Sequence, residues 1–251
     1  MAQVEDSHWW FCSRRAIVAS VLSRLGLSPG ARILEPGCGT GGNFAMLSRF
    51  GEVYAMDSDL EACKFSSARK TAIVQQGQLP EQVPFENISF ELVVMTDVLE
   101  HLDRDEETLT VLRERLKPGG WLLATVPAFP FLWSAHDATH HHQRRYVAGE
   151  LRALFERAGF AVAYLSYYNF LLFPGIAAAR ILGRLRKSSP PHEYDLRTHS
   201  GLVNSVLRTV FSSERYALGH LSVPFGVSLL LVARRRPSGI RLISGGIRQP
   251  I

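Results

Sequence analysis

The sequence contains few cysteines and no recognisable secretion signal. Its 251 residues include only Cys12, Cys38 and Cys63, and no two of them form a Cys-x-x-Cys pair. An odd, scattered set argues against a disulfide framework or a zinc ribbon and is typical of a reducing compartment. Residues 1–13 lack a basic segment followed by an apolar one, which argues against a signal peptide. We therefore expect a cytoplasmic protein.

Internal repeats, low-complexity segments and a large excess of one charge are also absent. Lys and Arg number 28 and Asp and Glu 23, a net charge of +5, which is too small to imply a nucleic-acid partner. A hydrophobic content of 46% excludes a disordered or collagen-like chain. Basic residues concentrate in the last third, where lipid headgroups, a phosphorylated substrate or RNA stay open as anionic partners.

One long stretch, residues 158–179, has no charged residue. Its length is close to that of a transmembrane helix. Helix-breaking and polar residues interrupt it, and residues 160–168 are rich in aromatic and β-branched side chains. We therefore predict a buried strand followed by a short apolar helix.

Strand-like and helix-like segments alternate along the chain. Strands are predicted at 31–35, 53–57, 72–75, 90–96 and 121–126, and helices at 14–25, 43–49, 60–70 and 105–116. This alternation is typical of an α/β fold, a parallel sheet with helices on both faces.

The C-terminal part differs, with a helix predicted at 148–158 and strands at 160–168 and 227–233. The long connection between these strands would hold helices at 171–185 and 202–211 around a polar linker at 188–191. We expect a single domain over 1–236, with its core at 31–168 and 225–234, a helical lid at 169–224 and a loose tail at 237–251.

A glycine-rich turn follows the first predicted strand. Gly37, Gly39 and Gly42 fit G-x-G-x-x-G, and Asp57 ends the next strand, where it would hold ribose hydroxyls. A dinucleotide would place its pyrophosphate at this turn, but the carboxylate of Glu35 would repel it. The cationic sulfonium and ammonium of S-adenosylmethionine suit that carboxylate better.

Five motifs follow one another along the chain: LEPGCGTG at 34–41, Asp57, FELVV at 90–94, DVLEHL at 97–102 and LKPGG at 116–120. Together they resemble the class I S-adenosylmethionine-dependent methyltransferases, in particular the subgroup that includes ubiquinone- and menaquinone-pathway enzymes. The resemblance implies a Rossmann-like, mostly parallel seven-stranded sheet with an antiparallel last strand. An N-terminal helix and a helical insertion before that last strand would complete the fold.

The resemblance also implies cofactor contacts. Around the methionine part would lie Glu35, Gly37, Cys38 and Gly39, joined by Thr96, Asp97 and His101 after the fourth strand. Asp57 would bind the ribose, and Ser58 and Leu79 would flank the adenine. Gln78 stands where many relatives have an acid, and its side-chain carbonyl can still accept from the adenine amine.

The loop after the fifth predicted strand, residues 127–146, emerges at the sheet edge where open α/β folds bind ligands. It contains four histidines. Because histidine is a suitable base near neutral pH, we predict that His136 or His140, next to Asp137, accepts the acceptor's proton. Arg144 is grouped with them as a candidate catalytic residue. In the alternative interpretation, Arg144 only anchors the loop to the following helix.

A metal site is the less favoured interpretation of one motif. Asp97, Glu100 and His101 stand at i, i+3 and i+4, and a similar acid-x-x-Glu-His pattern holds magnesium in some ubiquinone-pathway O-methyltransferases. Hard-oxygen sites usually need more carboxylates, so we expect no metal here and keep this triad as the alternative.

The predicted function is S-adenosylmethionine-dependent methyl transfer (EC 2.1.1) to a small apolar or lipid-like acceptor, by O- or C-methylation. A nicotinamide-dependent oxidoreductase and a non-catalytic S-adenosylmethionine-binding protein are the alternatives. Nucleic acid is disfavoured because the motifs typical of base methylation, Asn-Pro-Pro-Tyr and Pro-Cys, are absent. The basic, apolar segment 169–187 suits peripheral contact with anionic lipid or a buried lid. No oligomeric state is predicted.

Overall fold

A computed structural model of the protein describes residues 5–185 and 201–236. The side chains of His136 and of residues 183–185 lie outside this description. So do the predicted linker at 188–191 and the predicted tail at 237–251.

Seven strands form one sheet. They are β1 (Ala31–Pro36), β2 (Gly51–Asp57), β3 (Ile73–Gln76), β4 (Phe90–Thr96), β5 (Leu116–Pro127), β6 (Phe160–Tyr168) and β7 (Ser228–Arg235). Their order is β3-β2-β1-β4-β5-β7-β6. The first five of these are parallel, whereas β7 runs antiparallel to both β5 and β6. The predicted fold class is thereby confirmed.

Eight helices accompany the sheet in the described part of the chain. They are α1 (Trp9–Leu22), α2 (Phe44–Leu47), α3 (Leu60–Ser67), α4 (Asp105–Arg115), α5 (Ala135–Thr139), α6 (Ala148–Arg157), α7 (Phe173–Leu185) and α8 (Gly201–Ser213). Short 3₁₀ turns occur at Leu99–His101, Pro130–Leu132 and Glu214–Tyr216.

Residues 92–95 of the middle strand β4 are all apolar, and the fold gives the reason. Val93 and Met95 pack into the core on one face of the sheet, whereas Leu92 and Val94 pack into the core on the other. Because successive side chains point to opposite faces, a strand covered on both sides needs apolar residues at every position. Full burial of each of these side chains contributes about 1.5–3 kcal/mol to the stability of the fold.

Helix α1 begins at Trp9, five residues before the predicted start. The His8 side chain caps it by accepting from the Trp10 backbone N–H. Helix α8 of the insertion packs against α1, where Trp9 N donates to Asn204 Oδ1 at 2.9 Å. The N-terminal aromatic residues are therefore held in place by the insertion.

The uncharged stretch at 158–179 forms β6 and the first half of α7, as predicted. Among the described residues, no helix is long and apolar enough to cross a membrane. The Glu214 carboxylate stabilises the connection between β6 and α7. It accepts hydrogen bonds from the backbone N–H groups of Asn169 at 2.6 Å and Leu171 at 2.9 Å.

Candidate functional site

The glycine-rich turn connects the end of β1 to α2 and is held by the end of β2. The N–H groups of Gly37 and Cys38 both donate to the Met56 carbonyl, at 2.8 and 3.0 Å. The next N–H, that of Gly39, donates to Asp57 Oδ2 at 2.8 Å. Asp57 Oδ1 accepts from the Asp59 N–H at 3.0 Å. The acid expected at the ribose thus also fixes the shape of the turn.

Beneath the turn, Glu35 is 1% exposed. Asn43 Nδ2 donates to Glu35 Oε1 at 2.7 Å and to Thr96 Oγ1 at 3.0 Å. Glu35 Oε2 has no partner among the described residues. Burial raises the pKa of Glu35 to about 7, although the Asn43 hydrogen bond opposes this. Asn43, which the motifs did not indicate, joins the ends of β1 and β4.

After β4, Asp97 adopts a positive φ of 57°. Its Oδ1 accepts from Thr125 Oγ1 at 2.8 Å, and its Oδ2 is ion-paired with the Arg14 guanidinium. Arg14 comes from α1 and is buried. Helix α1 therefore contributes a side chain to the site, although Arg14 lies 83 positions before Asp97 in the sequence.

A cavity of about 500 Å³ opens at this carboxyl edge of the sheet. Seven of the predicted site residues line it: Gly37, Cys38, Gly39, Thr96, Asp97, His101 and His140. Glu100, predicted only as part of the alternative metal triad, lines it too. Further lining residues were not predicted from the sequence: Glu5, Arg14, Asn43, His142 and Arg145. The aromatic side chains of α1 and part of α7 complete the wall: Trp9, Trp10, Phe11, Ile176, Ala179 and Arg180.

The residues predicted around the adenosine are not among those that line this cavity. Ser58 and Gln78 are exposed and Leu79 is half-buried, at the ends of β2 and β3. Asp57 connects this surface to the cavity through its hydrogen bond to Gly39. Most residues predicted at the methionine part of the cofactor thus line the cavity, whereas those predicted at the adenosine lie outside it.

In the histidine-rich loop, Asp137 is fully buried and pairs with Arg145 through two hydrogen bonds, at 2.8 and 3.0 Å. His142 Nδ1 lies 2.9 Å from Asp137 Oδ1. Burial alone would raise the pKa of Asp137, but these partners outweigh burial and hold that pKa well below its usual range. The structure therefore brings Asp137 together with His142, a histidine that sequence analysis did not single out.

The other candidates of this loop are placed differently. The His140 ring lines the cavity, with its centroid 6.2 Å from that of His142. Arg144 Nη1 donates to Asp105 Oδ2 at 2.9 Å and Nη2 to the Asp103 carbonyl at 3.4 Å. Arg144 thus contacts the start of α4 and is not among the residues that line the cavity. It holds the loop to this earlier helix, whereas the alternative interpretation expected the following helix, α6.

Beside His142, the 3₁₀ turn after β4 presents Glu100 and His101. Glu100 has no exposed side-chain surface, and burial together with nearby Asp97 raises its pKa well above the usual range. The His101 and His142 rings meet edge to face with centroids 4.8 Å apart. Burial and the neighbouring His142 lower the pKa of His101.

Comparison with known proteins identifies the family. Residues 12–165 match the family described as "Methyltransferase domain". The chain belongs to this family. The assignment supports the class I methyltransferase prediction and its cofactor, S-adenosylmethionine, whereas the finer resemblance to ubiquinone-pathway enzymes stays a prediction.

Individual relatives of this methyltransferase are distant. One, from Mycolicibacterium smegmatis, is named "Probable S-adenosylmethionine-dependent methyltransferase"; it is 27% identical over 161 residues, 62% of this chain and 61% of the relative. Another, an O-methyltransferase of Pyrenophora dematioidea, is 32% identical over 110 residues, 41% of each chain. The matches thus span less than two thirds of either relative.

A solved structure, that of Haemonchus contortus phosphoethanolamine N-methyltransferase 2 in complex with S-adenosyl-L-methionine, has a TM-score of 0.55 and 18% identity to this chain. The alignment covers 87% of this chain and 51% of that one. At this level of identity the likeness establishes the shared fold.

The residues of the cavity fit this cofactor. A Cβ built on Gly39 meets no atom within 4 Å, so the turn leaves open space on its cavity side. Glu35, near the end of β1, is not itself among the residues that line the cavity. Its buried Oε2 has no hydrogen-bond partner among the described residues, and such an acid favours a cationic ligand nearby.

Proposed function

We propose that this protein transfers the methyl group of S-adenosylmethionine to a small, apolar or lipid-like acceptor, by O- or C-methylation. The composition of the cavity carries the proposal. Besides the glycine-rich turn, its lining includes Trp9, Trp10 and Phe11 of α1 with Ile176 and Ala179 of α7. Polar and charged residues also line the cavity, but these aromatic and aliphatic side chains give an apolar acceptor a surface to pack against.

The cofactor, when bound, supplies an electrophilic methyl group on a sulfonium. Asp57 would hold the ribose, the turn at Gly37–Gly39 would hold the methionine part, and Glu35 would favour the positive charge. Because methyl transfer is a direct displacement, the chain mainly aligns the acceptor and excludes water. The insertion helices contribute by holding the aromatic residues of α1 over the cavity.

An acceptor hydroxyl or carbon acid must also lose a proton. Of the two histidines predicted for this role, His140 lines the cavity, and we propose it as the proton acceptor. Asp137, which was predicted to assist it, holds the loop through His142 and Arg145 instead.

Exchange of His140 for Ala tests this role. We expect His140→Ala to slow methyl transfer about 10²–10⁴-fold while S-adenosylmethionine binding stays unchanged. His141→Ala is the matched control, because it removes an exposed imidazole from the next position. Equal rates for both variants and the wild type would show that the base lies elsewhere or is not needed.

The acceptor class is tested with methyl-labelled S-adenosylmethionine, incubated with the purified protein and a cell extract that is then split into organic, aqueous and macromolecular fractions. Label in the organic fraction, reduced in Asp57→Ala when S-adenosylmethionine is limiting, supports the proposal. Label confined to the aqueous or macromolecular fraction contradicts an apolar acceptor. Cofactor binding without any transferred label favours the alternative of a non-catalytic binding protein.

Peripheral membrane contact through segment 169–187 belongs to the same proposal. In this segment Leu171, Ile181 and Leu182 are each about half exposed, and the neighbouring α8 exposes Leu202 and Val206. Sedimentation with anionic phospholipid vesicles tests the contact: Ile181→Asp should reduce the bound fraction, and an unchanged fraction would remove the membrane from the proposal.

A further inference from the structure

Glu100 is buried in an unusual way. Its side chain has no exposed surface, yet neither carboxylate oxygen has a hydrogen-bond partner among the described residues. A buried carboxylate without partners is costly, so such groups are normally paired, protonated or bound to a metal ion. Glu100 also lines the cavity, so a ligand that enters the cavity can reach it.

Two imidazoles lie beside this carboxylate. One ligand atom each from Glu100, His101 and His142 can be chosen so that all three lie within 4.8 Å of one another. His142 Nε2 is 3.9 Å from Glu100 Oε1, beyond hydrogen-bond distance. Ligand atoms at about 2.1 Å from a tetrahedral ion lie about 3.4 Å apart, so modest rotation of the side chains would bring the three together.

The second nitrogen of His142 is already held. Its Nδ1 lies 2.9 Å from Asp137 Oδ1, and Asp137 is kept in place by Arg145. A carboxylate on the far nitrogen is the usual arrangement for a metal-binding histidine, because it fixes the tautomer and the ring orientation. In the neutral imidazole whose Nδ1–H donates to Asp137, the lone pair is on Nε2, the nitrogen 3.9 Å from Glu100 Oε1.

Two of the three carboxylates around the imidazoles of His101 and His142 already have arginine partners. Asp97 is paired with Arg14 and Asp137 with Arg145. Glu100 remains as the carboxylate of this group without an arginine partner of its own. The ion pair at Asp97 also explains why the triad that the sequence suggested, Asp97 with Glu100 and His101, is not the one that the fold assembles.

We propose that Glu100, His101 and His142 bind a divalent transition-metal ion in the cavity. Two imidazoles and one carboxylate are a ligand set for ions such as Zn²⁺, Co²⁺ or Fe²⁺, whereas Mg²⁺ prefers oxygen ligands alone. An ion held by three protein ligands keeps open positions, and here these would face the cavity. Binding an acceptor oxygen there rests on the proposed function; the metal site itself does not.

The site is tested on the full-length protein after dialysis against a chelator. Isothermal titration with Zn²⁺, and visible absorption on adding Co²⁺, should show one bound ion per chain. Glu100→Gln and His142→Ala should each weaken binding at least 10- to 100-fold, since removal even of an outer-shell partner costs that much. Far-UV circular dichroism and urea denaturation, measured separately, show whether each variant is folded.

The control concerns the consecutive histidines at 140–142, which can bind metals at the surface. His141→Ala and His220→Ala should leave Zn²⁺ affinity unchanged. No stoichiometric binding by the wild type, or wild-type affinity in Glu100→Gln, would overturn the proposal. If Glu100→Gln does not fold, His101→Ala replaces it, because His101 is only half-buried. A lack of methyl transfer in any acceptor assay leaves these binding results unaffected.

Discussion

The carboxylate of Asp57 accepts a hydrogen bond from the backbone N–H of Gly39 at 2.8 Å. One residue ends β2 and the other lies in the turn after β1, so the bond joins two neighbouring parallel strands at their carboxyl ends. The remaining oxygen, Oδ1, accepts from the Asp59 N–H. Asp57 is thus both a predicted ribose ligand and a support for the glycine-rich turn.

Asp57→Ala should weaken S-adenosylmethionine binding by about 1–3 kcal/mol, or about 5- to 150-fold in Kd, because a polar partner of the ligand and of the turn is lost. Isothermal titration measures the change. Asp59→Ala is the control, since that carboxylate caps α3 by accepting from the Glu61 N–H and should leave the affinity unchanged. Wild-type affinity in Asp57→Ala would remove Asp57 from the cofactor site.

Gly37 and Gly39 should respond differently to substitution. Both have positive φ, but a Cβ on Gly37 would lie 2.6 Å from Val98 Cγ2, whereas a Cβ on Gly39 would meet open space. Gly37→Ala should therefore lower the free energy of unfolding more than Gly39→Ala, which carries only the backbone strain of roughly 1–2 kcal/mol. Urea denaturation compares them.

Cofactor binding by the Gly39 variant completes this test. Because Gly39 lines the cavity, the added methyl group of Gly39→Ala should occupy ligand space and reduce S-adenosylmethionine affinity. Full affinity in Gly39→Ala would place the methionine part of the cofactor elsewhere.

Much of the sheet could be predicted from the sequence, because its strongest signals are local. The predicted bounds of β4 and β6 agree with the structure, since apolar and aromatic residues make up most of each strand. The predicted helix 105–116 gives way to β5 at Leu116, where Phe90 pairs with Leu116 before the ladder shifts register. That pairing depends on a distant strand and has no local signature.

In the candidate site, too, some residues could be predicted from local motifs and others only from the fold. Residues in the turn and after β4 were found because family motifs mark them. Arg14 and Asn43 were missed, since each acts through a partner far along the chain: Arg14 reaches Asp97 across 83 positions, and Asn43 reaches Thr96 across 53. In the histidine-rich loop, the residue types indicated several candidate bases. Only the fold shows that Asp137 is hydrogen-bonded to His142.

Two ion pairs of that loop should differ strongly in their contribution to stability. Arg145 and Asp137 form a pair with side chains 2% and 0% exposed, whereas Arg144 and Asp105 are 36% and 16% exposed. Asp137→Ala leaves a buried guanidinium without its partner and should lower the free energy of unfolding by about 3–5 kcal/mol. Arg144→Ala, the control, should cost about 0–1 kcal/mol.

The sign of the pH effect follows from the lowered pKa of Asp137. Its contribution to stability is complete above the ordinary value of 3.8 and is lost as the pH falls through the lower, folded value. Urea denaturation of wild type and Asp137→Asn in acid should therefore converge. Equal costs for Asp137→Ala and Arg144→Ala near neutral pH would contradict the burial argument.

Cofactor affinity should depend on pH through Glu35. Burial raises its pKa to about 7, and the positive charge of S-adenosylmethionine favours the ionised form. Below about pH 7 a proton must leave before binding, so affinity should fall, by up to about tenfold per pH unit. Titrations between about pH 6 and pH 8 measure the slope, and Glu35→Gln, which keeps an acceptor for Asn43, should flatten it.

The same shift makes an independent prediction for the protein without its cofactor. A carboxyl whose folded pKa is raised from 4.5 to about 7 binds more protons in the folded than in the unfolded state over that interval. The free energy of unfolding contributed by Glu35 therefore falls as the pH rises, by up to about 3 kcal/mol. Urea denaturation should show Glu35→Gln gaining stability relative to the wild type as the pH rises from about 5 to 8. A difference that does not change with pH would mean that Glu35 ionises normally, and the predicted pH dependence of cofactor binding would lose its cause.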